Sequence, residues 1–280
     1  MNRIKTLALK YPVLFAILVM FIAAPLTEIP FADKLTGIMD KQSASYLTGI
    51  VEQGGVSLLL FLLISWLGMK HEAGFTRPSE WRQLWLVWPL VAYSFVNIDE
   101  RILDGSIAFN FSSPWLPVLF VLLYLSVGFI EEILFRGLIL PLMLRRWGQT
   151  KRGIYQAVIV SSVIFGLLHL INLLMGRRTM LSTGAQIIYG LFFGIFFAAC
   201  FLRNRSIWPV IFTHALFDFC GNLTELTTAN DFGAIPQTNL QGVLMVVALT
   251  LPLLLYGLFI LRKVKPEELP ANQIDVVPSA

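Results

Sequence analysis

Apolar runs close to 20 residues long recur along almost the whole chain, and the polar stretches between them are short. Runs of this length are typical of helices that cross the ~30 Å hydrocarbon core of a bilayer. The pattern therefore predicts an all-α, polytopic transmembrane helical bundle of about eight spans. The predicted spans are about 11–29, 46–69, 83–98, 115–143, 153–175, 181–202, 206–222 and 239–261.

Composition agrees with a membrane protein and excludes an ordinary soluble domain. Hydrophobic residues make up 56% of the 280 residues, charged residues only 14%, and the mean hydropathy is +0.73. A soluble domain usually carries about 25% charged residues. The two cysteines, Cys200 and Cys220, fall in apolar runs. We expect both to be buried thiols rather than a disulfide or metal ligands.

The net charge of +4 follows from membrane topology rather than from nucleic-acid binding. With a cytoplasmic N-terminus, fifteen of the 21 lysines and arginines fall in inner segments and five in outer loops. This bias predicts that both termini are cytoplasmic. Arg136 lies within a span, and the adjacent Arg177 and Arg178 are the visible exception in an outer loop.

Polar and charged residues inside the predicted spans are concentrated in three of them. A charge at the bilayer centre costs about 2.5–3.5 kcal/mol on insertion scales, so such residues normally face a protein interior and serve a function. The set comprises Glu131, Glu132 and Arg136 in span four, His169 and Asn172 in span five, and His214 and Asp218 in span seven.

Helical spacing suggests how these side chains are arranged. Glu132 and Arg136 are four residues apart and can form an ion pair on one face, and His214 and Asp218 share the same spacing. Glu131 points about 100° away from Glu132, so it lies outside the predicted ion pair and can take part in other contacts.

Depth along the helices allows the catalytic candidates to converge. Glu131, His169 and His214 lie about 18, 24 and 12 Å from the inner ends of their spans. These three depths in the membrane overlap once the helices tilt. Asn172 is interpreted as a hydrogen-bonding contact between helices. The segment from Gly190 to Gly194 is interpreted as a close helix contact without chemistry.

Two kinds of chemistry fit such a cluster. A carboxylate and a neutral imidazole can activate a water molecule, and further donors can stabilise the oxyanion of a tetrahedral intermediate. Alternatively, two histidines and one glutamate can bind zinc with water in the open position, although the usual H-E-x-x-H pattern is absent. The residues by themselves leave both alternatives open.

Three motifs on successive spans resemble those of the CAAX prenyl protease and bacteriocin-processing family, also called the Abi family. They are Glu131-Glu132-x-x-x-Arg136, Phe165-x-x-x-His169 and His214-x-x-x-Asp218. The resemblance covers about 115–222 and divides the chain into N-terminal transmembrane helices (1–114), a CAAX-protease-like core (115–222) and a last helix with a cytoplasmic tail (223–280).

The resemblance implies a membrane-embedded endopeptidase. The implied roles are water activation by Glu131 and His169, an oxyanion hole formed by His214 and Asp218, and support of the site by Glu132 and Arg136. The best-understood members have an asparagine where this chain has Asp218. An aspartate donates a hydrogen bond only when it is protonated, and otherwise it would orient His214. No cofactor is favoured; zinc, if present, would be bound by Glu131, His169 and His214.

The expected partners are the lipid bilayer and a membrane-associated protein or peptide substrate, with no nucleic acid. The compact form indicates a bacterial inner or plasma membrane. Two other functions are considered: a non-proteolytic bacteriocin self-immunity protein of the same family, and a proton-coupled transporter. A transporter would favour polar residues along a whole pathway and often an internal repeat, whereas here there is one cluster and no repeat.

Overall fold

The computed structural model describes residues 3–29, 32–75, 81–111, 113–230, 232–235 and 237–270, with the side chains of residues 81 and 82 excepted. Within these ranges every extended regular element is helical, and an isolated bridge between Phe109 and Thr227 is the only β pairing. The all-α prediction is confirmed. Residues 271–280, which end the predicted cytoplasmic tail, lie outside the described ranges.

The described residues form twelve α-helices joined by shorter helical turns. The α-helices are α1 Arg3–Lys10, α2 Pro12–Leu26, α3 Lys41–Leu67, α4 Trp88–Val96, α5 Glu100–Leu103, α6 Leu116–Glu132, α7 Leu140–Trp147, α8 Lys151–Leu168, α9 Leu170–Leu174, α10 Met180–Asn204, α11 Trp208–Gly221 and α12 Leu240–Leu261. A π-helical segment spans Ile133–Ile139, and 3-10 turns span Ala32–Lys34, Trp81–Val87, Leu223–Leu226 and Pro266–Glu268.

Five helical stretches are long and apolar enough to cross a membrane. They are Lys41–Leu67, Leu116–Trp147, Lys151–Leu174, Met180–Asn204 and Leu240–Leu261. The pair α1 and α2 would be a sixth span, but the two helices are bent by 109°. The apolar helices support an integral membrane protein, whereas the predicted count of about eight spans is not confirmed.

Two predicted spans form helices that are too short to cross a bilayer. The third contains a 3-10 turn followed by α4, which has Pro89 in its first turn, so the apolar helix covers only Gln83–Val96. The seventh is α11, whose 14 residues extend about 21 Å, less than the ~30 Å apolar core of a bilayer. Because α11 packs against α6 and α4, protein rather than lipid surrounds much of it.

Helix α10 lies at the centre of the bundle and packs along both α8 and α12. Small residues permit these close contacts. A Cβ atom at Gly194 would lie 2.7 Å from the Cβ atom of Ser162 on α8. A Cβ atom at Gly257 on α12 would lie 2.9 Å from the Cα atom of Phe196. The close helix contact predicted around Gly194 is present.

The packing divides the bundle into two walls. Helix α6 packs against α3 and α11, whereas α8 packs against α10 along its length and against α7 near its start. Over the described residues, α6 and α8 share no extensive packing of their own. The two walls are therefore joined near the loop that connects α7 and α8. We call the region between them, towards the opposite end of the bundle, the cleft.

Candidate active site

The helix that carries the two glutamates changes its winding directly after them. Helix α6 ends at Glu132, and the chain continues as a π-helix from Ile133 to Ile139 before α7 begins. Wider π turns are rare and occur frequently at functional sites. No feature of the sequence predicted this segment, which was expected to continue as an ordinary span. Arg136 lies within it, and all seven residues are buried.

Glu132 is the buried centre of a three-residue network. Its Oε1 atom accepts a hydrogen bond of 2.9 Å from Nη1 of Arg136 and lies 2.8 Å from Nδ1 of His214. The Glu132 side chain has no solvent exposure. The ion pair predicted from the i,i+4 spacing is present, and it includes a histidine from another helix that the spacing did not reveal.

Aromatic rings enclose the guanidinium group of Arg136. Its Cζ atom lies 4.7 Å from the ring centroid of Phe165 and 5.1 Å from that of Phe197. Nη2 donates a hydrogen bond of 3.3 Å to the carbonyl oxygen of Gly194. Cation–π contacts and an acidic partner together offset the desolvation of a buried cation. The role of the Gly194 carbonyl was missed by the sequence analysis, which treated this segment as packing alone.

Helices α6 and α11 come close enough for these side chains to meet because Gly128 lacks a side chain. A Cβ atom at Gly128 would lie 2.9 Å from the carbonyl oxygen of Ile211 and 3.0 Å from the nitrogen of Ala215. His214 lies between these two residues in sequence, and Gly128 lies one turn before Glu132. The close approach therefore places the imidazole against the glutamates.

His214 lies between the fully buried Glu132 and the more exposed side chains of Glu131 and Asp218. Its Nδ1 faces Glu132, while its Nε2 lies 3.5 Å from Oδ2 of Asp218 and 3.7 Å from Oε2 of Glu131. The ring also stacks on Phe197 at 5.0 Å between centroids. Glu132, rather than Asp218, forms the hydrogen bond that orients the imidazole, because the contact to Asp218 has no hydrogen-bond geometry.

The two sides of the site differ in exposure. Glu131 and Asp218 keep 20% and 24% of their side-chain surface exposed, against 0% for Glu132 and 7% for His214. Oε2 of Glu131 has no hydrogen-bond partner within the described part of the chain, although it is buried. An acceptor of this kind remains available to a ligand or a water molecule.

His169 stands on the opposite wall of the cleft. It lies at the junction of α8 and α9 and packs on α10, where a Cβ atom at Gly190 would lie 3.2 Å from its Cδ2. The ring of Phe165 is 5.5 Å from that of His169 and 6.1 Å from that of His214. No hydrogen bond or ion pair joins His169 to Glu131 among the described residues.

Asn172 forms the contact expected between helices. Its Nδ2 donates a hydrogen bond of 3.0 Å to Oε1 of Gln186 on α10. This contact holds α9 against α10 one turn beyond His169. Gly190 was expected to serve packing alone, and the structure shows that its lack of a side chain makes room for the imidazole. The spacing of small residues in the sequence predicted a close helix contact. Only the tertiary structure shows which side chain those small residues accommodate.

The zinc set considered from the sequence is not assembled. Glu131 and His214 lie close together, but within the described ranges no three histidine, cysteine, aspartate or glutamate side chains are placed to bind one ion. His169, the third ligand of that set, stands apart on the other wall. Cys200 and Cys220 are both free, buried thiols, as expected.

The segment that carries the candidate site is also the one that matches a known protein family. A sequence model of the family described as "Type II CAAX prenyl endopeptidase Rce1-like" matches residues 113–220. No curated protein and no solved structure shows significant similarity to the chain. The matched segment contains all three motifs and the site built from them. The resemblance is confirmed over residues 113–220, a segment that is similar to the Rce1-like CAAX prenyl endopeptidase family.

Proposed function

We propose that this protein is an intramembrane endopeptidase that hydrolyses a peptide bond of a membrane-associated protein or peptide. The family match supports a CAAX-type membrane endopeptidase in general. The observation that carries the finer proposal is the convergence of Glu131 and Asp218 on Nε2 of His214, at 3.7 and 3.5 Å. Two carboxylates and an imidazole at the mouth of a membrane cleft are suited to hydrolysis of an amide.

Glu131 and His169 activate the water molecule in this proposal. The carboxylate of Glu131, which is 20% exposed, accepts a proton from the water molecule, and His169 accepts the second hydrogen bond from the other wall. Catalytic hydrogen bonds commonly tighten only when substrate binds. The attacking oxygen then adds to the scissile carbonyl carbon.

His214 stabilises the resulting oxyanion with Asp218 beside it. Because Oε1 of Glu132 accepts the hydrogen bond at 2.8 Å, the proton on Nδ1 of His214 faces Glu132. Nε2 can then donate to an oxyanion only if the ring is an imidazolium. Glu132 and Asp218 flank the two ring nitrogens and favour that charged form, and Arg136 pairs with the same oxygen of Glu132. Asp218 thus contributes through its charge.

We propose that the reaction needs no metal, because the residues themselves supply a base and an oxyanion donor and no H-E-x-x-H pattern is present. The test is activity after exhaustive chelation, with metal content measured on the same sample. Full activity of protein that lacks zinc is the expected result. Loss of activity on chelation, restored by stoichiometric zinc, would contradict it.

Purified protein in detergent, incubated with a degenerate peptide library, tests the function itself. Mass spectrometry should detect new peptide termini with the wild type, and Glu131→Gln should abolish them. Glu52→Gln is the matched control, since Glu52 is another glutamate within a membrane-spanning helix but lies outside this site. Cleavage that survives in Glu131→Gln would remove the proposal, and the non-proteolytic immunity function would then be favoured.

We also propose that both termini face the cytoplasm of a bacterial cell, from the distribution of basic residues. Reporter fusions within residues 232–235 and after residue 270 should lie on opposite sides of the membrane, since α12 lies between them. Reporters on the same side would contradict this topology.

A further inference from the structure

His169 lies at the point where the regular helix of its wall ends. Its backbone N–H donates to the carbonyl of Gly166 at 3.2 Å, and its own carbonyl accepts the N–H of Asn172 at 3.0 Å. Both bonds span three residues, whereas the bonds of an α-helix span four. Helix α8 ends at Leu168 and α9 begins at Leu170. The α-helical hydrogen-bond ladder is thus interrupted at the residue that carries the imidazole.

The ring of His169 is held by packing. Its contacts include the ring of Phe165 and the space left by Gly190. No residue in the described ranges forms a hydrogen bond with either ring nitrogen, whereas Glu132 contacts Nδ1 of His214 at 2.8 Å. The orientation of a functional histidine is commonly set by a hydrogen bond to one of its nitrogens. For His169, the position of the backbone must therefore provide that orientation.

The contact between α8 and α10 beside His169 is formed by backbone and glycine. A Cβ atom at Gly166 would lie 2.6 Å from the carbonyl oxygen of Ile187, and a Cβ atom at Gly190 would lie 3.4 Å from Cα of Gly166. Small residues let the two backbones approach closely. At this level, however, they offer no interlocking side chains that would set the register of one helix against the other.

Gln186 supplies a directional contact at the next turn. Its Oε1 accepts a hydrogen bond of 3.0 Å from Nδ2 of Asn172 and so joins α9 to α10. Asn172 follows His169 by three residues, and Gln186 precedes Gly190 by four, so the members of each pair share one face of their helix. The amide pair therefore lies one turn from the place where the imidazole packs on Gly190.

Asn172 connects this anchor to His169 through the backbone. Its N–H donates to the carbonyl of His169, and its carbonyl accepts the N–H of Arg177 at 2.8 Å, which closes the turn after α9. Asn172 is thus bonded to α10 by its side chain and to both ends of its own short helix by its backbone. A displacement of Asn172 along α10 would move His169 with it.

We propose that Gln186 is a positioning residue for His169 and acts through Asn172. This inference rests on the proposed peptidase function, in which His169 accepts a hydrogen bond from the attacking water. Hydrogen bonds between the side chains of membrane helices contribute modestly to stability. A small misplacement of a catalytic group, by contrast, can cost one or two orders of magnitude in rate. Loss of the amide pair should therefore affect turnover more than folding.

Gln186→Leu and Asn172→Leu keep the approximate side-chain volume and remove the hydrogen bond. On the library peptide that the wild type cleaves best, each variant should lower kcat about tenfold and leave KM within about twofold. The exchange Asn172→Gln with Gln186→Asn keeps an amide on each helix and the combined length of the pair. It should recover most of the kcat that either single exchange loses, and it provides a second test if a leucine variant fails to fold.

Gln53→Leu is the matched control. Gln53 on α3 accepts a hydrogen bond of 2.5 Å from the hydroxyl of Ser126 on α6, so it is also a glutamine that joins two apolar helices. Its loss should lower the unfolding temperature about as much as Gln186→Leu and keep kcat. Equal losses of kcat in both variants would mean that Gln186 supports only the fold, and would overturn the proposal. A raised KM at unchanged kcat in Gln186→Leu would assign Gln186 to substrate binding and also overturn it.

Histidine NMR separates the positioning role from the peptidase function. The chain contains only three histidines, so the ring signals of isotope-labelled protein in detergent can be assigned from single His→Gln variants. Gln186→Leu should shift the signals of His169 and leave those of His214 in place, while Gln53→Leu should move neither. Unchanged His169 signals in Gln186→Leu would overturn the proposal. If the wild type cleaves no peptide, the peptidase function fails separately, and these spectra still decide whether Gln186 positions His169.

Discussion

Glu131 and Glu132 are neighbours in the chain, but they belong to two different regions of the site. Glu132 is fully enclosed, and its Oε1 contacts both Arg136 and His214. Glu131 faces the cleft with 20% of its side chain exposed, and one of its oxygens has no hydrogen-bond partner in the described part of the chain. A helix turns about 100° between neighbours, so one step along the chain separates the closed region from the open one.

The difference shows how one helix can carry both structure and chemistry in a membrane. The closed region, formed by Glu132, Arg136 and His214, satisfies its charges internally and lowers the cost of burying them. The open region, formed by Glu131, His169 and Asp218, leaves acceptors free for water and substrate. His214 belongs to both, since one ring nitrogen faces each region.

The comparison predicts the largest effect on activity for Glu131. Glu131→Gln should lower the rate of peptide cleavage by about 10² or more, the scale for loss of a general base. Because its Oε2 accepts no hydrogen bond from any residue that the structure describes, the unfolding temperature in detergent should stay close to that of the wild type. Glu132→Gln should lower the unfolding temperature as well as the rate. Equal unfolding shifts for both variants would contradict the division into two regions.

The closed region should show the largest effect on stability. Arg136→Ala leaves Glu132 buried without its cation and should cost about 3–5 kcal/mol. The double variant Glu132→Gln with Arg136→Gln should recover part of that loss, as measured by thermal unfolding in detergent. Arg177→Ala is the control, since the ion pair between Arg177 and Glu28 is half exposed and should contribute about 1 kcal/mol or less. Purely additive losses at Glu132 and Arg136 would speak against their coupling.

The wall that carries His169 can be tested without touching a polar residue. Gly190→Ala should push the imidazole by a few tenths of an ångström, because the new Cβ atom would lie 3.2 Å from Cδ2. We expect about a tenfold loss of activity, since small misplacements of catalytic groups are costly. Gly184→Ala on the same helix has open space within 4 Å and should keep full activity. Full activity of the Gly190→Ala variant would indicate that His169 takes no part in catalysis.

Asp218 should show the smallest effect. Asp218→Asn keeps the shape but removes the charge 3.5 Å from Nε2 of His214. We expect activity to fall several-fold, because the imidazolium loses one neighbouring carboxylate while Glu132 at Nδ1 and Glu131 near Nε2 remain. A fall of about 10² or more, together with loss of bound zinc, would instead favour the metal-dependent alternative. Unchanged activity would indicate that Asp218 acts as a protonated donor, which asparagine replaces.

Much of the fold and of the polar cluster was predictable from local patterns. Apolar runs predicted an all-helical membrane protein, and the i,i+4 spacing of Glu132 and Arg136 predicted their ion pair. The number of spans was not predictable in the same way. Hydropathy counts apolar residues, but α11 is short and packed among helices, and the first pair bends by 109°.

The sequence by itself determined which charged and polar residues lie within apolar helices and must face protein, since charges are excluded from lipid, and that the three motifs fall in one family segment. Only the tertiary structure decided how they meet. The close approach at Gly128 brings Glu132, rather than Asp218, to Nδ1 of His214, and the packing at Gly190 places His169 on the opposite wall. These contacts join different helices, as with Glu132 and His214, which are 82 positions apart, and periodicity within a helix carries no information about the distance between helices.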